Sequence, residues 1–200
     1  MRKIGIYGGS FDPPHLGHRQ VLEFAKKHFE EVWVVPCGHR SDKHKLTEAS
    51  LRYQMAVCAF KEFKVLDIEI QRGHMIPTYE LMKHLEQVHS NCSLSFLLSV
   101  DLVPTLQDWD FGKELVEEVN FVVFPREGHQ VSEDLIELYS AKSNFRFIQE
   151  DLNISGVSST LLRKMISEAY ESRDPATTME AWGLLQSEVI DLVIRNNLYA

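Results

Sequence analysis

KIGIYGGSFDPPHLGHRQVLEFAKKHF, residues 3–29, holds a short apolar run, a loop with two glycines and two prolines, and a stretch with apolar residues at helical spacing. The run KIGIYGG is rich in β-branched and aromatic residues and ends on turn formers, so it predicts a strand. From Gly17 onward, Val21, Leu22, Phe24, Ala25 and Phe29 share one face, and Lys26, Lys27 and His28 lie on or near the other. That pattern predicts an amphipathic helix beginning near Leu16. A strand, a glycine-bearing loop and a helix in this order form the opening half of a parallel α/β unit.

The same alternation continues outward. EVWVVPCG (31–38), FKVLDIEI (63–70), LSFLLSVD (94–101), NFVVFPREG (120–128) and FRFIQED (145–151) read as strands. SLRYQMAVCAF (50–60), PTYELMKHLEQVH (77–89), GKELVEEV (112–119) and SEDLIELYS (132–140) read as helices between them. Strands buried by crossover helices on both faces make a mostly parallel sheet. Two further helices, SSTLLRKMISEAY (158–170) and SEVIDLVIRNNLY (187–199), end the chain, with ESRDPATTMEAWG (171–183) expected as a loop. Without internal repeats or a dividing linker, residues 1–200 are expected to form a single domain.

Composition narrows the function. The 200 residues are 44% apolar and carry a formal charge of −8, enough to bury a full core and unsuited to a nucleic-acid surface, which needs a broad basic face. No apolar run approaches the ~20 residues of a membrane span, and the start lacks the pattern of a signal peptide. A soluble, cytoplasmic protein with no membrane partner is expected. Cys37, Cys58 and Cys92 are unpaired in pattern and read as isolated reduced thiols.

In open α/β sheets ligands bind beyond the carboxyl ends of the strands, where GGSFDPPHLGH (8–18) sits. Gly8 and Gly9 are expected to let the backbone approach a ligand and to take dihedrals closed to other residues, with Ser10 and Phe11 following. Pro13 and Pro14 stiffen the loop. The helix start offers unpaired N–H groups and a positive dipole end, which suits phosphate. His15 and His18 are three apart, so both imidazoles can face one spot. An imidazole N–H aimed at a phosphoryl oxygen stabilises the charge that develops on attack at phosphorus. The glycine fingerprints of dinucleotide folds and P-loops are absent.

A second segment, ISGVSSTLLRK (154–164), places Ser158, Ser159 and Thr160 before an apolar helix. At least one should cap it, the others can hold phosphate oxygens, and Arg163 adds a forked cationic donor.

Together HLGH and VSSTLLR resemble the H-x-G-H and I-S-S-T-x-x-R-like motifs of the nucleotidyltransferase superfamily, whose sheet is Rossmann-like. SDKHKLTEASLRYQMA (41–56), DLVPTLQDWDFGKEL (101–115), FVVFPREG (121–128) and VIDLVIRNNLY (189–199) narrow the resemblance to nicotinate or nicotinamide mononucleotide adenylyltransferases, matched in order over nearly the full length. The resemblance implies adenylyl transfer from ATP, with Mg²⁺ assisting, to a pyridine mononucleotide. His18 and His15 would be catalytic. Gly8, Gly9, Ser10, Phe11, His15, His18, Ser158, Ser159, Thr160 and Arg163 would bind ATP, and Lys43, Lys45, Thr78, Asp101, Trp109 and Arg126 the mononucleotide. Homo-oligomers are common in such a family, so the resemblance extends to a homo-oligomer. Two departures stand out: Ser99 and Val100 precede Asp101 where the family has glycine and a small residue, and Ile76 and Pro77 replace its Ser-Tyr pair. The second leaves open the choice between nicotinate and nicotinamide forms. A pantetheine-phosphate adenylyltransferase shares both motifs but lacks the DWDFGKEL and FPREG segments. A class I aminoacyl-tRNA synthetase shares the histidines but needs more chain and a basic face. A catalytically silent nucleotide sensor is the reading from another class.

Overall fold

The computed structural model describes residues 1–40, 46–125, 133–148, 155–172 and 175–200. Its six strands are β1 (Arg2–Gly9), β2 (Glu31–Pro36), β3 (Lys64–Val65), β4 (Cys92–Ser99), β5 (Phe121–Phe124) and β6 (Phe145–Phe147). They form one sheet in the order β3-β2-β1-β4-β5-β6, in which β1 pairs parallel with β4, β4 with β5 and β5 with β6. The order reverses at β1, the strand that feeds the histidine loop, and such reversal points are where open α/β sheets hold ligands. The helices are α1 (Leu16–Ala25), α2 (Ala49–Ala59), α3 (Ile68–Arg72), α4 (Thr78–Val88), α5 (Gly112–Glu118), α6 (Glu133–Ser140), α7 (Ser159–Ser172), α8 (Pro175–Trp182) and α9 (Ser187–Arg195). A 3-10 helix spans Val100–Asp108. This is the expected Rossmann-like α/β class with helices after the last strand. No described helix is long and apolar enough to cross a membrane.

The chain gathers into two compact units. The first comprises Met1–Gly8, Val21–Val34 and Ile76–Gly156, the second Gly9–Gln20, Val35–Met75 and Val157–Ala200. In the first, Ile4, Ile6, Leu94, Leu97, Leu98 and Phe121 to Phe124 are buried. Phe121 stacks on Phe145 at 4.8 Å and Phe24 meets Phe124 edge-on at 5.6 Å. In the second, Phe11, Met55, Phe60, Leu162, Ile166, Val189 and Val193 are buried, with Phe11 edge-on to Phe60 at 5.4 Å.

Two segments differ from the sequence expectation. FKVLDIEI does not run as one strand: only Lys64–Val65 pairs, and α3 follows. Glu69 is buried and accepts the Gly38 N–H at 2.9 Å, so the chain must turn to deliver a carboxylate inward. Gly73 then closes the turn at φ 77, the left-handed cap that glycine adopts without strain. ESRDPATTMEAWG is not a loop throughout, because α8 forms within it. Pro175 opens this helix, where its missing N–H is no loss, and Ala181 is fully buried.

Candidate active site

Helix α1 begins with its histidines already engaged. The His15 carbonyl accepts the Arg19 N–H at 3.2 Å, which makes His15 the N-cap. The His15 N–H donates to His18 Nδ1 at 3.2 Å. This is the returning half of a capping box, with an imidazole where Glu or Gln usually stands, and it explains a spacing of three. The bond has a chemical consequence. An Nδ1 that accepts carries no proton, so a neutral His18 imidazole holds its hydrogen on Nε2 as a donor. The rings of His15 and His18 lie 3.8 Å apart, and Phe11 meets His18 edge-on at 5.0 Å. His15 is buried and His18 half-buried. The Leu16 N–H donates to the Leu184 carbonyl at 3.0 Å, so the link between α8 and α9 absorbs one amide of the α1 first turn.

The loop before α1 is held from four sides. Its Gly9 carbonyl accepts the Cys37 N–H at 2.9 Å, and its Ser10 carbonyl accepts Arg52 Nη1 at 2.8 Å. The Asp12 carbonyl accepts Arg163 Nη1 at 2.8 Å and the Pro13 carbonyl accepts Ser159 Oγ at 3.0 Å. Each carbonyl is therefore satisfied by a protein donor, and none of these lone pairs has to face a polyanion. The buried Asp12 carboxylate accepts Tyr199 Oη at 2.7 Å and the Thr47 N–H at 3.1 Å. Burial, and then the Asp12 charge, push the Tyr199 phenol far above its ordinary range.

Arg52 is buried, and among the described residues its fork meets no carboxylate. It donates to the carbonyls of Thr47 (2.9 Å), Ser10 (2.8 Å) and Gly38 (2.8 Å), and to Cys37 Sγ at 3.2 Å. The Gly38 peptide is thus gripped at its carbonyl by Arg52 and at its N–H by Glu69. A Cβ there would lie 2.5 Å from the His74 backbone.

At the start of α7, Ser158 caps the helix through a 3.2 Å bond from the Leu161 N–H, as a serine there should. Arg163 spends Nη1 on Asp12 and brings Nη2 within 3.3 Å of Thr160 Oγ1. Gly9, Ser10, Phe11, His15, His18, Ser158, Ser159, Thr160 and Arg163 all belong to the second unit, and Gly8 ends the β1 part of the first. The glycine expectation needs one correction. Neither Gly8 nor Gly9 takes a positive φ; that conformation falls on Phe11, at φ 49. The glycines are needed for closeness, since a Cβ would sit 3.1 Å from Phe96 at Gly8 and 2.9 Å from Phe11 at Gly9.

In the first unit, Thr78 opens α4 and Asp101 accepts a short hydrogen bond from Ser99 Oγ. The serine that departs from the family pattern therefore holds the aspartate. Half-buried Trp109 donates its indole N–H to Thr105 Oγ1 at 3.1 Å, and Thr105 donates to the Leu102 carbonyl at 2.9 Å, which fixes the ring plane. Beside Thr78, Tyr79 Oη donates to Glu118 at 3.0 Å and Lys83 reaches the same carboxylate at 2.9 Å. Lys83 holds Glu118 below the ordinary carboxylate range, and Glu118 raises both Lys83 and Tyr79. Lys43, Lys45 and Arg126 lie outside the described residues. Among the described residues no group of three or more His, Cys, Asp or Glu side chains could hold a metal ion.

The residues missed by sequence reasoning are Asp12, Thr47, Glu69 and Tyr199. An aspartate before two prolines and a charged residue in an apolar run were the available signals.

The cytidylyltransferase-like family model matches residues 6–188. A relative from Clostridium novyi, described as "Probable nicotinate-nucleotide adenylyltransferase", is 32% identical over 83% of this chain and 88% of its own. One of the same description from Clostridium botulinum is 30% identical over the whole of both chains. Among solved structures, Plasmodium falciparum nicotinic acid mononucleotide adenylyltransferase complexed with NaAD superposes with a TM-score of 0.82 at 28% identity, covering 100% of this chain and 98% of that one. The same enzyme complexed with APC gives 0.79 at 27%, with the same coverage. A tautomer-fixed histidine at a helix start, backed by a serine-capped helix, thus sits in a sequence that matches end to end, and the chain belongs to the cytidylyltransferase-like family, among its nicotinate-nucleotide adenylyltransferases.

Proposed function

We propose that this protein transfers the adenylyl group of ATP to nicotinate mononucleotide, forming deamido-NAD and pyrophosphate in NAD biosynthesis, with nicotinamide mononucleotide as the competing acceptor. A phosphate oxygen of the mononucleotide attacks the α-phosphorus of ATP, and the bond to the pyrophosphate leaving group breaks. Catalysis is mostly alignment of two polyanions and neutralisation of their charge. The observation that carries this reading is the 3.2 Å bond from the His15 N–H to His18 Nδ1. It leaves His18 Nε2–H as the donor for a phosphoryl oxygen, a term worth ~10²–10³ in rate. His15 lies beside it.

Gly8, Gly9, Ser10 and Phe11 would frame the ATP phosphates together with the first turn of α1. The first-turn N–H groups of Ser159 and Thr160, the Thr160 hydroxyl and the remaining Arg163 N–H groups would add donors from the start of α7, with Ser158 setting that turn. Magnesium would arrive with the substrate as Mg-ATP, keeping its waters and phosphate ligands, in agreement with donors that are hydroxyls, imidazoles and a guanidinium. Trp109 would stack on the pyridine ring, Thr78 would approach its carboxylate, and Asp101 would meet ribose hydroxyls. Lys43, Lys45 and Arg126 would supply charge to the mononucleotide phosphate. Residues 1–200 would act as one nucleotidyltransferase domain in the cytoplasm, a reading supported by the family model that runs over 6–188.

The test is pyrophosphate release from Mg-ATP with nicotinate mononucleotide, nicotinamide mononucleotide and phosphopantetheine offered separately. Turnover with nicotinate mononucleotide, at the highest kcat/KM of the three, is the expected result. Turnover with phosphopantetheine alone would move the chain to another acceptor, and ATP binding without pyrophosphate release would make it a sensor.

A further inference from the structure

Phe11 is a bulky residue at φ 49, a backbone conformation that only over-determined surroundings maintain. Its ring makes edge-to-face contacts with both His18 and Phe60, 5.0 and 5.4 Å between centroids. Whatever fixes the turn after Phe11 therefore fixes the wall on which the His18 imidazole rests. The next residue, Asp12, is 1% exposed and anchored at three points: its carbonyl by Arg163, one carboxylate oxygen by the Thr47 N–H, the other by Tyr199 Oη. Arg163 and Thr47 come from segments the family motifs already single out. Tyr199 does not. It lies 187 residues from Asp12 in sequence, beyond α9, and is itself held at φ 67.

We propose that Tyr199 is a positioning residue for adenylyl transfer: its hydroxyl holds the Asp12 carboxylate, and through it the Phe11 turn that sets His18. The inference rests on the adenylyl-transfer reading of His18. The Tyr199 phenol is well suited to the task, because burial and the neighbouring carboxylate keep it protonated, a donor throughout the working pH range. The Asp12 charge is thereby spent on protein donors next to a polyphosphate site, where a loose carboxylate would repel the substrate.

The experiment uses the full chain and compares wild type, Tyr199→Phe, Asp12→Asn and the double variant by steady-state kinetics, well below each thermal midpoint. Tyr199→Phe is expected to lower kcat about tenfold or more, as a displaced catalytic group does, while KM for nicotinate mononucleotide stays within about twofold. In the Asp12→Asn background the same change is expected to lower kcat little further, because the two residues act through one bond. Unchanged kcat in Tyr199→Phe with a lowered thermal midpoint, or additive losses in the double variant, would overturn the proposal and reduce Tyr199 to a structural contact. Should Tyr199→Phe fail to fold, Asp12→Asn decides alone: wild-type kcat overturns the proposal, and a loss of kcat with the midpoint retained supports it. Silence of the wild type with every acceptor would instead overturn the adenylyl-transfer reading itself.

Discussion

Replacing His18 by alanine removes two things that report on different instruments. The first is the Nδ1 acceptor of the His15 N–H, a capping bond whose loss typically destabilises by ~1 kcal/mol. In a chain of this length, 1 kcal/mol lowers the thermal midpoint by roughly 2–4 °C, and lost ring contacts with His15 and Phe11 add to that. The second is the Nε2–H donor, whose loss is expected to lower kcat by ~10²–10³, or roughly 2.7–4 kcal/mol of transition-state stabilisation, if the proposed role holds. At 25 °C the variant remains folded, so a pyrophosphate-release assay reads the second effect without the first. His18→Glu separates them further. A glutamate at the third helical position restores the capping acceptor and suits the helix dipole, yet it donates nothing and repels phosphate. Its midpoint is expected to return towards wild type while kcat stays at or below that of the alanine variant. A kcat within about threefold of wild type in His18→Ala would refute the reasoning and leave His18 as a helix cap.

Trp109→Ala is expected to raise KM for the mononucleotide roughly 2- to 10-fold, the worth of an aromatic contact, with KM for ATP unmoved; the opposite split would move Trp109 out of the pyridine site. Gly112→Ala would put a Cβ 2.2 Å from the Gln107 carbonyl oxygen, so a destabilisation of about 1–3 kcal/mol is expected by thermal or urea unfolding, and a wild-type midpoint would contradict the packing at the start of α5. Glu188 is drawn down to about 2 by Lys61, which reaches it from beyond α2. A depressed carboxylate contributes stability above its ordinary value and loses it as pH falls through the folded one. The small advantage of wild type over Glu188→Gln should therefore hold at neutral pH and shrink below about pH 4.5; urea midpoints at several pH values check it, and a difference undiminished near pH 2.5 would sink the assignment.

The layout was legible because it is written in local chemistry. Apolar runs bounded by turn residues marked β1, β2, β4, β5 and β6, and helical spacing marked α1, α2, α4, α5, α6, α7 and α9. The failures lie where a distant partner decides. Glu69 looked like one polar residue in a strand, but its carboxylate is bound to Gly38, and that need bends the chain into α3. The polar look of Pro175–Trp182 concealed a helix anchored by Ala181. Within the candidate site, the histidines and the serine run are readable because their spacing is a capping pattern. The supports of the loop are not, since Arg52 reaches Ser10 across 42 residues and Tyr199 reaches Asp12 across 187, and no periodicity links them.

The fastening of the Gly9–Pro13 loop also sets a timetable for biogenesis. Its residues are made before Ser159, Arg163 and Tyr199, the last of which follows Asp12 by 187 residues. At synthesis rates of about 5–20 residues per second, the 187 residues between Asp12 and Tyr199 take roughly 10–40 s to make. During that interval the strand-loop-helix carrying both histidines can form, but without the donors that tie down its turn. A chain cut short of Ser159 would therefore carry the visible motif without the hydroxyl, guanidinium and phenol that fasten its turn.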